Sequence, residues 1–127
     1  MQKKIYETEL LKCWFDSEGI LHAVSKPGER TPEKYNLLFN LFDELSNSGM
    51  QKLCLLNDLS QIEDQKSQML NYVAGNLTRY IKAMAMVSDT QVGKTVGRIF
   101  TETNKGPYPC MLFDDYKKAQ EWLRQFV

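Results

Sequence analysis

Three carboxylates, Asp58, Glu63 and Asp64, crowd into one short segment of the chain. Acids this close together can hold a divalent cation or work as an acid–base pair. They lack the D-x-[DN]-x-[DN]-G order of a calcium loop, so solvated loop acids are the simpler reading. Two serines, Ser60 and Ser67, share the segment. Ser67 stands just before Met69 and Leu70 and suits a helix cap, a role that contributes roughly 1 kcal/mol. A phosphate on Ser67 would gain from nearby helix N–H groups, but would be repelled by Glu63 and Asp64 unless Lys66 compensates.

The remaining candidates are scattered. Val92-Gly93-Lys94-Thr95 contains the Gly-Lys-Thr of a phosphate-wrapping loop, but Ser88 occupies the position where that loop needs its first glycine. Lys94 then reads as a solvent-facing helical residue, and the helix start near Thr90 offers at most a weak anion site. The single histidine, His22, has no serine or cysteine beside it in a nucleophile pattern and reads as an ordinary strand residue. Cys13, Cys54 and Cys110 lie in or beside apolar stretches and read as buried hydrophobes in a reducing compartment, with no pair at zinc-ligand spacing. No catalytic residue, metal or cofactor is expected.

The elements that must position these residues follow from apolar patterning. Glu9 to Phe15 and Ile20 to Ser25 form a β-hairpin around Asp16-Ser17-Glu18-Gly19, expected at one edge of the sheet. Thr31-Pro32 opens a helix carrying Tyr35, Leu38, Phe39, Phe42 and Leu45, and Asn47-Ser48-Gly49 ends it. Leu53 to Leu56 is a strand covered on both faces. Its polar exit delivers a loop to a helix marked by Met69, Leu70, Val73, Leu77, Tyr80 and Ile81, and in open α/β sheets such junctions commonly meet ligands or partners. Tyr72 lies off the main stripe of that helix and, if exposed, would anchor an interface.

Ala83 to Val87 is the next strand, followed by a helix capped within Ser88-Asp89-Thr90 and bearing Val92, Val96, Ile99 and Phe100. Gly93 and Gly97 on that helix suit close approach to a neighbour. A loop at Asn104-Lys105-Gly106-Pro107 precedes a last strand, Tyr108 to Phe113. Asp114-Asp115 then caps a helix whose inward residues are Tyr116, Ala119, Trp122, Leu123 and Phe126. The expectation is an α/β chain, residues 1–127 as one domain, with a mixed sheet of about five strands and about four helices in the order ββαβαβαβα.

Bulk composition narrows the function. The chain of 127 residues is long enough to bury a core without staples, and its 16 basic and 16 acidic residues balance, which disfavours general nucleic-acid binding. The N-terminal MQKKIYETELLK has no apolar signal region, and no run approaches the ~18 apolar residues of a membrane span. A cytoplasmic location without membrane insertion is expected.

The element order, together with LLNDLSQIEDQKS, resembles the STAS domain of anti-sigma-factor antagonists, the SpoIIAA-like fold. The likeness is closer to small bacterial STAS/SEC14-type proteins, through the W-F-x-x-x-G-I pattern of Trp14, Phe15, Gly19 and Ile20 and the A-x-x-W-L ending of Ala119, Trp122 and Leu123. In the antagonists, a serine at the helix start after the third strand is phosphorylated to switch partner binding. Here Asp58-Leu59-Ser60 matches the first part of that pattern, whereas Glu63-Asp64-Gln65, or a shifted Ser67, stands where the acceptor belongs. The resemblance implies a non-enzymatic module acting by protein association, as a homodimer, with the loop carrying Asp58, Ser60, Asp64 and Ser67 and the helix after it as the recognition surface; the residue patterns add Tyr72, Thr90 and Lys94 as candidate binding residues. The alternative it implies is a binder of a small lipid or apolar ligand, with Met69, Met84, Met86 and Met111 lining the pocket.

Overall fold

Sheet alternation and helix stripes resolve, in a computed structural model, into six strands and four helices. The structure describes residues 3–63, 67–103 and 108–127, with the backbone alone for 67–71 and 103. The strands are β1 (Tyr6–Glu7), β2 (Leu11–Phe15), β3 (Leu21–Ser25), β4 (Leu53–Asp58), β5 (Ile81–Val87) and β6 (Cys110–Phe113). The helices are α1 (Pro32–Leu45), α2 (Ser67–Leu77), α3 (Gln91–Thr103) and α4 (Tyr116–Arg124).

The strands lie in chain order, β1-β2-β3-β4-β5-β6, antiparallel through β3 and parallel from β3 to β6. The sixth strand corrects the expected five, and it displaces the hairpin from the edge. Tyr6 pairs with Cys13 and Glu7 with Lys12 across a turn in which the Thr8 hydroxyl accepts from Leu10 N–H. Two residues are too few for alternation to register in sequence. A second correction is at α2, which stops at Leu77. Ile81 falls on helical spacing from Leu77, but it opens β5 and pairs with Leu53. Burial in a parallel ladder decided a residue that spacing leaves ambiguous.

Capping follows the local chemistry. The Thr31 hydroxyl accepts from Lys34 N–H with Pro32 at the first helical position, and Asp115 accepts from Lys117 N–H at 2.6 Å. After α1, Asn47 and Ser48 are left-handed and Gly49 follows at φ 84°. A Cβ at Gly49 would lie 2.8 Å from the Arg79 carbonyl, so only glycine fits.

Every strand advance from β3 to β6 runs in one direction, and right-handed crossovers then place α1, α2 and α3 on one face. There Tyr35, Leu38, Phe39, Phe42, Val73, Leu77, Val96 and Phe100 close over Leu21, Leu55, Met84 and Met86. The opposite face holds Ile20, Cys54, Leu56, Ala83, Ala85 and Val87, covered by Ala119 and Leu123 of α4.

Candidate functional site

The loop that leaves β4 is held from several sides. Leu59 N–H donates to the Val87 carbonyl at 2.8 Å, and Leu59 and Ile62 are buried in the core. Asp58 Oδ1 accepts from Ser60 N–H at 2.9 Å, a turn closed by a carboxylate. Its Oδ2 accepts from the Tyr116 hydroxyl at 2.8 Å, and the Ser60 hydroxyl accepts from Asp89 N–H at 3.3 Å. The ends of β4 and β5 and the start of α4 are thus tied together around Asp58 and Ser60.

Gly93 completes the arrangement. A Cβ there would lie 2.1 Å from the Ser88 hydroxyl and 2.6 Å from the Leu59 carbonyl, so α3 can approach the β4 loop only through glycine. Gly97 similarly packs under Leu112, where a Cβ on the glycine would lie 2.8 Å from a Leu112 methyl. Both glycines serve packing, as their spacing on the helix suggested.

The other expected site residues separate. Thr90 caps α3: its hydroxyl accepts from Gly93 N–H at 3.0 Å, which occupies a group that an anion would need, and it also bonds to Ser88. Lys94 borders an open depression of about 450 Å³ shared with Arg98, Leu112, Phe113 and Asp114. Tyr72 is partly buried at the α1–α2 seam, where its ring meets Phe39 and its hydroxyl donates to Asn36 at 2.6 Å. Ser67 is the first residue of α2, inside the helix where a flanking cap was expected. Asp64 lies outside the described residues. Asp58, Ser60 and Thr90 therefore gather at the carboxyl ends of β4 and β5, while Tyr72 sits on the α1–α2 seam.

Tyr116 was expected to face inward, yet it is 41% exposed and contacts Asp58. Partial burial, and then the bond to Asp58, push its phenol well above the ordinary tyrosine range. No spacing signal in the sequence joins Tyr116 to Asp58, because the contact is made only when α4 packs back across the sheet toward β4.

A further polar group links α4 to the β2–β3 turn. His22 Nε2 lies 2.8 Å from Asp16 Oδ2, Gln120 donates to the same oxygen at 3.3 Å, and Arg124 forms a two-pronged pair with Glu18. His22 also stacks on Trp14. Burial pushes the Asp16 carboxyl up, but the bonds from His22 and from the Ile20 and Glu18 N–H groups outweigh this and hold it below the usual range. All three cysteines are thiols. Burial pushes the Cys13 thiol up to about 11 and raises that of Cys54, which makes both inert.

The strand order bears on ligand sites. In an open sheet, a crevice forms where successive crossovers diverge to opposite faces. Here strand order never reverses between β3 and β6, so no such divergence occurs at the exit of β4, where Asp58 and Ser60 are hydrogen-bonded to their neighbours.

A hollow does exist deeper in the molecule, on the α1–α3 side. It measures about 60 Å³ and is bordered by Leu55, Met84, Met86 and Phe100 with Ser25, Asn57 and Arg30. Met84 and Met86 thus stand where the apolar-ligand expectation put them. Met111 is 45% exposed on the other face, and the Met69 side chain lies outside what is described.

Comparison with known proteins agrees with this architecture. A family model described as "Domain of unknown function (DUF7793)" matches residues 13–127. The chain belongs to the DUF7793 family. In structure, this DUF7793 chain is similar to an uncharacterized protein of the DUF3478 family with a SpoIIAA-like fold from Shewanella loihica PV-4. The TM-score is 0.62 at 14% identity, over 96% of this chain and 92% of the other. At that identity the likeness establishes fold alone, and the fold of this DUF7793 chain is SpoIIAA-like. No curated protein matches the sequence. Among the described residues of the DUF7793 chain, no helix is long and apolar enough to cross a membrane.

Proposed function

We propose that this DUF7793 chain is a non-enzymatic module that acts by protein–protein association, as a homodimer, through the rim at the exit of β4. The observation that carries the reading is the double engagement of Asp58, by Ser60 N–H and by the Tyr116 hydroxyl. A loop locked before a partner arrives loses little entropy on binding, so its polar groups act as a preformed recognition surface. The non-enzymatic reading draws support from the same bonds, since Asp58 and Ser60 are both used to hold backbone and neighbours. Cytoplasmic location remains part of this proposal.

Sedimentation and affinity capture test it together. The expected result is a dimer whose association weakens when Asp58→Arg reverses the charge of the rim. A strict monomer that also captures no partner overturns the reading.

A second reading, binding of a small apolar ligand, is favoured by the hollow beneath α1 and α2. Its volume narrows that reading. On this measure a water needs about 10–15 Å³, so ~60 Å³ admits roughly four to six heavy atoms and excludes a membrane-lipid acyl chain.

A further inference from the structure

The hollow has one feature that an ordinary packing defect lacks: a cation on its wall. Arg30 is partly buried just before α1, with Nη2 donating to the Lys26 carbonyl at 2.9 Å and Nη1 lying 3.4 Å from the Tyr35 hydroxyl. Its guanidinium also rests 6.0 Å from the Tyr35 ring. Its Nε is buried and has no hydrogen-bond partner among the described residues. Among the described residues no carboxylate pairs with Arg30; the ion pairs there join other side chains.

A partly buried cation with an orphaned N–H and no counter-ion is costly, and native structures rarely leave such a group unmatched. Beside it, the Ser25 hydroxyl donates to Asn57 Oδ1 at 3.0 Å, which makes a small polar patch on a wall otherwise built from Leu55, Met84, Met86 and Phe100. An apolar hollow with a few convergent polar groups is the usual form of a small-molecule site. Guanidinium is matched in shape and charge by a carboxylate.

We infer that the hollow binds a short-chain monocarboxylate, its head on Arg30 and its tail of about three carbons against Met84 and Met86. This rests on the ligand-binding reading and adds the head-group chemistry and the size limit. Arg30 had no signal in sequence: it sits in a polar loop beside Thr31-Pro32, and only the fold sets it on the wall of an apolar space.

The test uses the full chain with methyl-labelled methionines, titrated by NMR with isobutyrate and, separately, with its neutral counterpart 2-methylpropanol. Isobutyrate is expected to shift the Met84 and Met86 methyl signals and saturate at millimolar concentration, at least tenfold tighter than the alcohol. Arg30→Gln should abolish that preference while leaving a dispersed methyl spectrum. Should the variant fail to fold, the acid–alcohol comparison on the unaltered chain decides alone. Equal affinity for the two probes overturns the Arg30 anchor and leaves the ligand reading standing. No shift at Met84 or Met86 with either probe overturns both.

Discussion

The two faces of the sheet are built on different principles. On one, three helices lay apolar side chains, among them Tyr35, Phe39 and Phe42 of α1, Val73 and Leu77 of α2 and Phe100 of α3, over β2 to β5. On the other, a nine-residue helix lies over Cys54, Leu56, Ala83, Ala85 and Val87. Small strand residues there let α4 sit close, and the Asp16–His22–Gln120 and Glu18–Arg124 contacts tie it to the β2–β3 turn. Beyond α4, Lys12, Trp14 and Val24 line the same face and are partly or fully exposed. The first face is held by apolar area, which salt and pH barely touch. The second combines a small apolar contact with charged contacts that do respond to pH.

The largest expected effect separates the faces directly. Phe42→Ala empties a fully enclosed site and should cost about 3–5 kcal/mol in chemical denaturation. Leu123→Ala, equally buried but on a terminal helix that can detach alone, should cost about 2 kcal/mol and speed amide exchange mainly within α4. A Leu123→Ala loss as large as that of Phe42→Ala, with exchange raised across the whole sheet, would erase the contrast.

The pH dependence should sharpen it. The folded Asp16 carboxyl titrates below its ordinary value near 3.8, so its contribution is fully present above that value and is lost as pH falls through the folded pKa. Denaturation of the wild-type chain and Asp16→Asn should therefore differ most above pH 4 and converge as the pH falls further. If the difference between them stays constant across that window, the Asp16 contact does not hold α4 as described.

The smallest effect has the opposite sign. The Tyr108 hydroxyl is buried on the three-helix side without a hydrogen-bond partner among the described residues, and burial pushes its phenol far above the tyrosine range. Tyr108→Phe removes a buried polar atom from an apolar environment and should stabilise by up to about 1 kcal/mol, seen as a small rise in Tm. A fall in Tm would mean that the hydroxyl has a partner in the folded chain.

Much of the architecture was legible because it is local. Thr31-Pro32 and Asp115 announce helix starts by hydroxyl or carboxylate chemistry and ring geometry, Gly49 marks a stop, and Leu53 to Leu56 reads as a strand from its unbroken apolarity. The errors fall where a local signal is short or ambiguous. Tyr6–Glu7 spans too few residues to alternate, and Ile81 satisfies helical spacing while belonging to a strand. Within the candidate rim, the cap at Thr90 was legible from its place before α3, whereas Asp58 and Ser60 were named from their types without their partners. Tyr116 was assigned to the core because its spacing on α4 matches Ala119 and Leu123, and spacing does not say where a helix runs past the sheet edge.

The sequence alone therefore determined the order of elements from β2 onward, the caps of α1 and α4 and most of the apolar residues committed to the core, since these depend on neighbours within a few positions. Tertiary structure alone decided the contacts of long separation: Asp58 with Tyr116, Asp16 with Gln120, and Arg30 on the wall of a hollow bordered by Met84 and Met86. The physical reason is that strand order and crossover hand choose which distant side chains become neighbours. In this chain the uninterrupted order from β3 to β6 sets α1, α2 and α3 on one face and leaves the hollow between them and the sheet.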